Sequence, residues 1–194
     1  ELRLSVALQA ALPVLELEIN EEEQTDTLNI FNDGSVLNET GALALADHIT
    51  GLAAIYEVEA SQIDLSEFGN ISGISMGSDL ALDFGTPESP DIRTFDGGVT
   101  YHDIEIVDIL LGQGNDHFTV DATIPGSITA VHGGGNNTDP AFAISTPAGV
   151  VNGDYIIVND VGTYAPLVVF GDSSQDGRFY DSTTGVITGN GRRF

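Results

Sequence analysis

Cysteine, lysine and tryptophan are absent from this sequence of 194 residues, and methionine occurs once. Without cysteine, the chain has no disulfide, thiolate metal site or cysteine nucleophile. Without lysine, only five arginines oppose 30 acidic residues, and the formal net charge is -25 at pH 7. A surface this negative repels phosphate backbones and anionic lipids, so we expect no nucleic-acid partner.

Long hydrophobic runs are also missing. The N-terminal stretch ELRLSVALQAALPVLELEI is interrupted by Pro13 and Glu16 and lacks the charged start and cleavage pattern of a signal peptide. No segment approaches the length of a membrane span, so we expect no membrane insertion. The chain lacks an initial methionine and ends abruptly at GNGRRF, so we expect it to be a piece of a longer protein.

Short β-branched runs separated by Gly, Asn and Asp dominate the sequence, and helical periodicity is scarce. The best helix candidate is 41–56, where a strand interpretation competes because Ile49, Thr50 and Gly51 break the pattern. Strands are predicted at 28–31, 104–110, 118–120, 127–131, 155–158, 167–170 and 185–188. The predicted fold class is therefore all-β.

Three segments share a theme that indicates internal repetition: DTLNIFND at 26–33, DHFTVDA at 116–122 and DYIIVND at 154–160. The second is followed by SITAVHGGG and the third by PLVVFGD, so another strand follows each at similar spacing. A unit of turn, strand, turn and strand, about 20 residues long, is typical of a β-solenoid coil. We therefore predict a parallel β-helix or β-roll-like solenoid with irregular coils; the alternative is an antiparallel β-sandwich.

Two stretches interrupt the repetition and are predicted to be inserted loops, one near 78–98 and one near 138–152. Residues 1–98 repeat weakly and form an irregular N-terminal β part, whereas 99–194 form the solenoid-like part. We expect both parts to belong to one continuous domain.

The segment LGQGNDHFTV, residues 111–120, is the first candidate for chemistry. Gly112 and Gly114 permit a turn whose carbonyls face inward, and Asp116 adds a carboxylate where they converge. Hard oxygen ligands of this kind suit calcium. This segment resembles the RTX family of secreted bacterial proteins, whose Gly- and Asp-rich nonapeptides form a calcium-bound parallel β-roll.

The RTX resemblance covers one good copy, 112–119, and one broken copy, 133–137 resumed at 153–157, which adds Asp154 as a candidate ligand. The wider chain looks like the repeat modules of very large secreted or cell-surface bacterial adhesin-like proteins. The resemblance implies a calcium-binding structural module located outside the cell. Its implied partners are calcium ions, neighbouring modules of the same protein and a carbohydrate or other cell-surface ligand.

A second calcium candidate lies in the loop FGDSSQDGRFY, where Asp172, Ser174 and Asp176 alternate and glycine follows. This order is similar to the first half of an EF-hand-type calcium loop. The twelfth position is Thr183, so the closing ligand would be Asp181 or a group from a neighbouring coil. The alternative for these aspartates, and for Asp116 and Asp154, is a polar turn in which the carboxylates accept backbone N–H groups.

One enzymatic interpretation also fits the predicted fold, because parallel β-helices host polysaccharide lyases and hydrolases that use clustered aspartates. Asp103 and Glu105 would project from the same side of a strand in YHDIEIVDILL. Basic residues are scarce, with only Arg93 and Arg178 interior to the chain, so we expect the protein not to be an enzyme.

The four histidines are predicted to have no metal or catalytic role. His102 and His117 have acidic neighbours, but no serine lies in a Gly-x-Ser-x-Gly elbow.

Overall fold

The computed structural model describes residues 24–135, 141, 143–147, 149–151, 153–171, 179–181 and 186–188. β-Strands are the main regular secondary structure among these residues, as predicted. The strands are β1 (Thr27–Phe31), β2 (Thr40–Leu45), β3 (Gly69–Gly73), β4 (Leu80–Asp83), β5 (Ile92–Phe95), β6 (Val99–Tyr101), β7 (Ile106–Leu110) and β8 (His117–Val120). They continue with β9 (Ile128–His132), β10 (Ile144–Thr146), β11 (Gly149–Val151), β12 (Tyr155–Val158), β13 (Leu167–Phe170), β14 (Phe179–Asp181) and β15 (Val186–Thr188). Among the described residues, one α-helix, α1, spans Ile49–Tyr56.

A four-stranded sheet, here called sheet A, has the order β1-β7-β9-β13, and all its neighbouring strands are parallel. Ile106 of β7 pairs with Thr27 on one side and with Ile128 on the other. In β9, Thr129 pairs with Leu167 of β13. Paired positions are therefore 22 residues apart between β7 and β9, but 79 apart between β1 and β7 and 38 apart between β9 and β13. The predicted unit of about 20 residues thus matches one of the three strand pairs of sheet A.

A five-stranded sheet, here called sheet B, has the order β12-β8-β2-β3-β6. Strands β12, β8 and β2 are parallel to one another, whereas β3 is antiparallel to both β2 and β6. Sheet B is thus parallel over its first three strands and antiparallel over its last two.

The main core lies between sheets A and B. Alternate residues of β7 in sheet A, Val107 and Ile109, are fully buried, and so are Phe118 and Val120 of β8 in sheet B. Because side chains of a strand alternate between its two faces, these residues place one face of each sheet in the same core. These four buried residues are apolar positions of the alternating sequence pattern.

The sheet topology corrects the predicted grouping of repeats. DHFTVDA and DYIIVND form β8 and β12 of sheet B, and SITAVHGGG and PLVVFGD contain β9 and β13 of sheet A, as the repeat pattern requires. DTLNIFND, however, forms β1 of sheet A, so it is equivalent to β7 and not to β8 or β12. The alternating apolar pattern is the same in both sheets, so it does not distinguish which sheet a strand joins.

The helix candidate at 41–56 divides into two elements. Its first part is β2, which is paired on both sides within sheet B, and its last eight residues are α1. The helix ends where Glu57 adopts a left-handed conformation with φ 55°.

The two stretches predicted as inserted loops contain antiparallel hairpins outside sheets A and B. Hairpin β4–β5 lies within 78–98, and β5 is packed against α1. Hairpin β10–β11 lies within 138–152, and β14–β15 is a further two-stranded sheet. Along the sequence, hairpins β4–β5 and β10–β11 therefore lie between strands of the two main sheets.

Candidate functional site

Three acidic residues occupy equivalent positions in sheet B, each directly before a strand. Glu39 precedes β2, Asp116 precedes β8 and Asp154 precedes β12. The register aligns the first residues of these strands, Thr40, His117 and Tyr155. The acids therefore lie in one column along the sheet edge, here called the turn column.

Asp116 is the central residue of the turn column and is fully buried. Its Oδ1 accepts a hydrogen bond from the Glu39 N–H at 2.8 Å, and its Oδ2 accepts one from the Gly112 N–H at 2.9 Å. Burial raises the pKa of Asp116 and the charge of Glu39 adds to the rise, whereas the two N–H donors oppose it. The carboxylate thus joins its own turn to the turn before β2.

The same connection recurs one strand further along. Asp154 Oδ1 accepts a hydrogen bond from the Asp116 N–H at 2.9 Å, as Asp116 does from Glu39. The Glu39 carboxylate accepts from side-chain donors, namely Asn32 Nδ2 at 2.8 Å, Ser35 Oγ at 2.8 Å and Ser75 Oγ at 2.7 Å. Each acid of the column therefore stabilises the polar groups of a turn.

Gly114 is required by the close approach of two turns. A Cβ atom at this position would lie 1.9 Å from the carbonyl oxygen of Leu37, which no side chain tolerates. In the next turn, Gly134 has φ 87°, a left-handed conformation that favours glycine. The glycines of the LGQGND motif thus allow successive turns to stack.

The structure brings four of the predicted calcium ligands together: Gly112, Gly114, Asp116 and Asp154. The carboxylates of Asp116 and Asp154 accept backbone N–H groups. Such hydrogen bonds are those expected for polar turns, which are the alternative to calcium binding. Asp172, Ser174 and Asp176 lie outside the described residues. Asp181 is the last residue of β14. Calcium binding at all these positions stays a prediction.

A second group of acids surrounds His48, between β2 and α1. Asp47 Oδ1 and Asp96 Oδ1 both contact the Nδ1 atom of His48, the latter at 2.6 Å. One potential ligand atom from each of these three residues lies within 4.8 Å of the others. On the opposite side of the ring, Asp79 Oδ2 lies 3.9 Å from His48 Nε2. We call Asp47, His48 and Asp96 the His48 group.

The residues of the His48 group differ in exposure and in protonation. The side chain of Asp96 is 9% exposed, compared with 79% for Asp47. Burial by itself raises the pKa of Asp96, but hydrogen bonds from His48 and from the Asp47 carboxyl outweigh it and hold the pKa below its usual value. The hydrogen bond with Asp96 raises the pKa of His48. The hydrogen bond between the two carboxyl groups raises the pKa of Asp47. Two carboxylates thus share one imidazole and its proton.

No lysine or arginine neutralises the His48 group within the part of the chain that the structure describes. Arg93 is the one arginine in that part. Its guanidinium donates to Asp91 Oδ2 at 2.7 and 3.1 Å and lies over the Phe84 ring. Among the described residues, protonated His48 is therefore the cationic group that lies against these carboxylates.

A groove of about 550 Å³ lies beside His102, between β6 and β7. Its lining includes the acids Glu67, Asp103 and Glu105 together with the apolar Ile104 and Ile124. Asp103 and Glu105 were predicted on one strand, which is wrong: they lie in the loop before β7, and Asp103 has φ 53°. Aspartate adopts this conformation more readily than most residues, which allows the loop to turn here.

The His48 group shows what the sequence signals and what it does not. Asp47 and His48 are adjacent in the sequence, which is a visible signal of a His–carboxylate pair. Asp96 is 48 residues from His48 and reaches it only because the turn between β5 and β6 packs beside the start of α1. No pattern in the sequence predicts that contact.

Neither protein-family models, nor curated proteins, nor solved structures gave a match to this chain. Among the residues that the structure describes, no helix has both the length and the apolar character needed to cross a membrane.

Proposed function

We propose that this chain is a structural module of a large secreted or cell-surface bacterial protein, and that calcium stabilises it. In this proposal β1–β2, β7–β8 and β9–β12 are successive coils of an irregular parallel β-solenoid. Each coil gives one strand to sheet A and the next to sheet B, and the parallel pairings support this order.

The turn column is the observation that carries the proposal. Asp116 accepts the N–H of Glu39, and Asp154 accepts the N–H of Asp116. In both cases the backbone N–H of one acid donates to the side-chain carboxylate of the acid before the neighbouring strand. Such a recurrence is expected when similar coils stack on one another. A module of this kind acts by its shape and stiffness, and its partners would be neighbouring modules and a carbohydrate or other surface ligand.

Charge supports the calcium part of the proposal. The chain carries a net charge of -25, and the one arginine of the described residues is bound to Asp91. Carboxylates held close together repel one another until a cation joins them, so calcium binding would contribute to folding. Each carboxylate oxygen has two lone pairs, so Asp116 and Asp154 could bind calcium while they accept N–H groups. The loop with Asp172, Ser174, Asp176 and Asp181 is the second proposed site.

The test is thermal unfolding of the metal-free protein, followed by circular dichroism, in millimolar calcium and in excess EDTA. We expect calcium to raise the melting temperature by several degrees, and we expect Asp116→Asn and Asp154→Asn to reduce that rise. Glu88→Gln, which removes one exposed charge, is the matched control and should keep the full rise. Equal melting temperatures in calcium and EDTA would overturn the calcium part of the proposal.

The groove beside His102 favours a second candidate function, a carbohydrate-active enzyme. It contains both Asp103 and Glu105, the pair considered from the sequence as acid and base. Glu105 Oε2 also accepts the Asp26 N–H at 2.7 Å, which fixes that carboxylate at the groove. The assay is release of reducing or unsaturated sugar ends from acidic polysaccharides. Activity that disappears in Asp103→Asn and Glu105→Gln would support this function, and its absence from the unaltered protein would reject it.

A further inference from the structure

We infer that Asp47, His48 and Asp96 form a binding site for a divalent transition-metal ion of the zinc class. The site is separate from the turn column and does not depend on calcium binding there. Its ligands come from two segments, the start of α1 and the turn between β5 and β6. A bound ion would therefore fasten α1 to the hairpin β4–β5.

The geometry of the His48 group fits a small ion after a modest change. His48 Nδ1 and Asp96 Oδ1 are 2.6 Å apart, and all three ligand atoms lie within 4.8 Å of one another. Zinc–ligand bonds of about 2.1 Å in a tetrahedron place ligand atoms ~3.4 Å apart. The ligand atoms would thus move by about 1 Å, which rotation of exposed Asp47 and of the imidazole can supply.

The ligand types select the class of metal. An imidazole nitrogen suits zinc, iron, nickel and copper, whereas calcium and magnesium prefer oxygen ligands throughout. One imidazole and two carboxylates form an open set with room for water as a further ligand. We therefore expect Zn²⁺ or Co²⁺ to bind here and Ca²⁺ not to displace them.

The surroundings of the group hold the ligands in place. Asp96 is nearly buried, and its two oxygens accept long hydrogen bonds, both 3.4 Å, from the N–H groups of Asp47 and His48. Asp79 accepts the Gly97 N–H at 2.8 Å and lies beside the other ring nitrogen of His48. At 3.9 Å this carboxylate is beyond hydrogen-bond distance of the ring nitrogen, so it adds a negative charge beside the imidazole.

A cavity of about 200 Å³ adjoins the group. Besides His48 and Asp96 it is lined by Leu52, Ile55, Phe95 and Thr100. Three of these four residues are apolar, so they lower the polarity beside the carboxylates, which strengthens the attraction between the carboxylates and a cation. The side chain of Asp47 is 79% exposed, which provides the entry path.

The experiment is a titration of the untagged, metal-free protein with Co²⁺, followed by visible absorbance, and then by competition with Zn²⁺ and with Ca²⁺. We expect one Co²⁺ ion to bind per chain, Zn²⁺ to displace it and a hundredfold excess of Ca²⁺ to leave it in place. Zn²⁺ should also raise the melting temperature by several degrees.

Variants test whether the metal ion binds at the His48 group. His48→Gln and Asp96→Asn should weaken Co²⁺ binding at least ~100-fold. Asp47→Asn alters an exposed side chain, so it tests the site even where Asp96→Asn unfolds the protein, and we expect it to weaken binding at least tenfold. His102→Gln is the matched control, because His102 lies 2.9 Å from Asp103 and 3.8 Å from Glu67 but belongs to no comparable group among the described residues.

Co²⁺ binding that is unchanged in His48→Gln and Asp47→Asn, or that is lost equally in His102→Gln, would overturn the inference. Absence of any Co²⁺ or Zn²⁺ binding to the folded protein would do the same. Asp116→Asn should leave Co²⁺ binding unchanged, so failure of the turn-column proposal and failure of this one are distinguishable.

Discussion

Replacing Thr129 by valine is expected to stabilise the protein. Thr129 lies in β9 and is fully buried, and its hydroxyl oxygen has no hydrogen-bond partner. Its partners in the neighbouring strands are Val107 and Leu167, so the site lies among apolar side chains. A buried hydroxyl without a partner costs about 1–3 kcal/mol, and valine has nearly the same shape. Thr129→Val should therefore raise the free energy of unfolding by about 1–2 kcal/mol.

Thr123 offers the matched control. It is also buried, but its hydroxyl donates to the Ala165 carbonyl at 2.9 Å and accepts from the Gly162 N–H at 3.0 Å. Thr123→Val removes both hydrogen bonds and leaves the buried Ala165 carbonyl and the half-buried Gly162 N–H without this partner, so it should destabilise the protein by about 1–3 kcal/mol.

Urea denaturation followed by circular dichroism measures both changes. For a chain of this size, the melting temperature should rise by roughly 2–8 °C in Thr129→Val and fall in Thr123→Val. Equal destabilisation by the two variants would show that Thr129 has a partner in solution or that its packing dominates, and would refute the reasoning.

Of three further predictions, two concern buried titratable groups and one concerns a tight turn. Burial raises the pKa of Tyr101 to about 12, so its contribution to stability is present below pH 10.0 and lost as the pH rises through 12. This alkaline loss amounts to up to ~2.7 kcal/mol. Tyr101→Phe should reduce the loss, as measured by urea denaturation at a series of pH values. Burial lowers the pKa of His132, so its contribution is present above pH 6.5 and lost as the pH falls through the folded-state value. Between about pH 7 and pH 5 the change in melting temperature should therefore be less unfavourable in His132→Leu than in the unaltered protein. Gly114→Ala should lower the melting temperature by several degrees because its Cβ would meet the Leu37 carbonyl, whereas Gly34→Ala, which meets no atom within 4 Å, should change little.

The sequence predicts strands best where apolar residues alternate between clear turn signals. Both β12 (Tyr155–Val158) and β13 (Leu167–Phe170) have the predicted bounds. The prediction for β7 began two residues early because Ile104 and Glu105 continue the alternation, although the chain still belongs to the preceding loop. The division of 41–56 into β2 and α1 depends on pairing with β3 and β8, a tertiary effect that local propensity does not contain.

In the candidate sites, too, the sequence indicates contacts between residues close in the sequence better than contacts between distant ones. The LGQGND motif lies in a turn, and Gly114 and Asp116 contact the neighbouring turn before β2. The contact between His48 and Asp96 depends on how a hairpin packs against a helix. The equivalence of Glu39 with Asp116 was also hidden, since glutamate replaces aspartate and no glycine motif precedes it.

The antiparallel strand β3 has a consequence for tandem copies of this module. It occupies the edge of β2 that faces away from β8, and β6 pairs beyond it. A preceding copy of the proposed module therefore could not add a parallel strand to β2. In tandem copies any further pairing along sheet B would begin at β6, so the parallel run β12-β8-β2 would end within each copy.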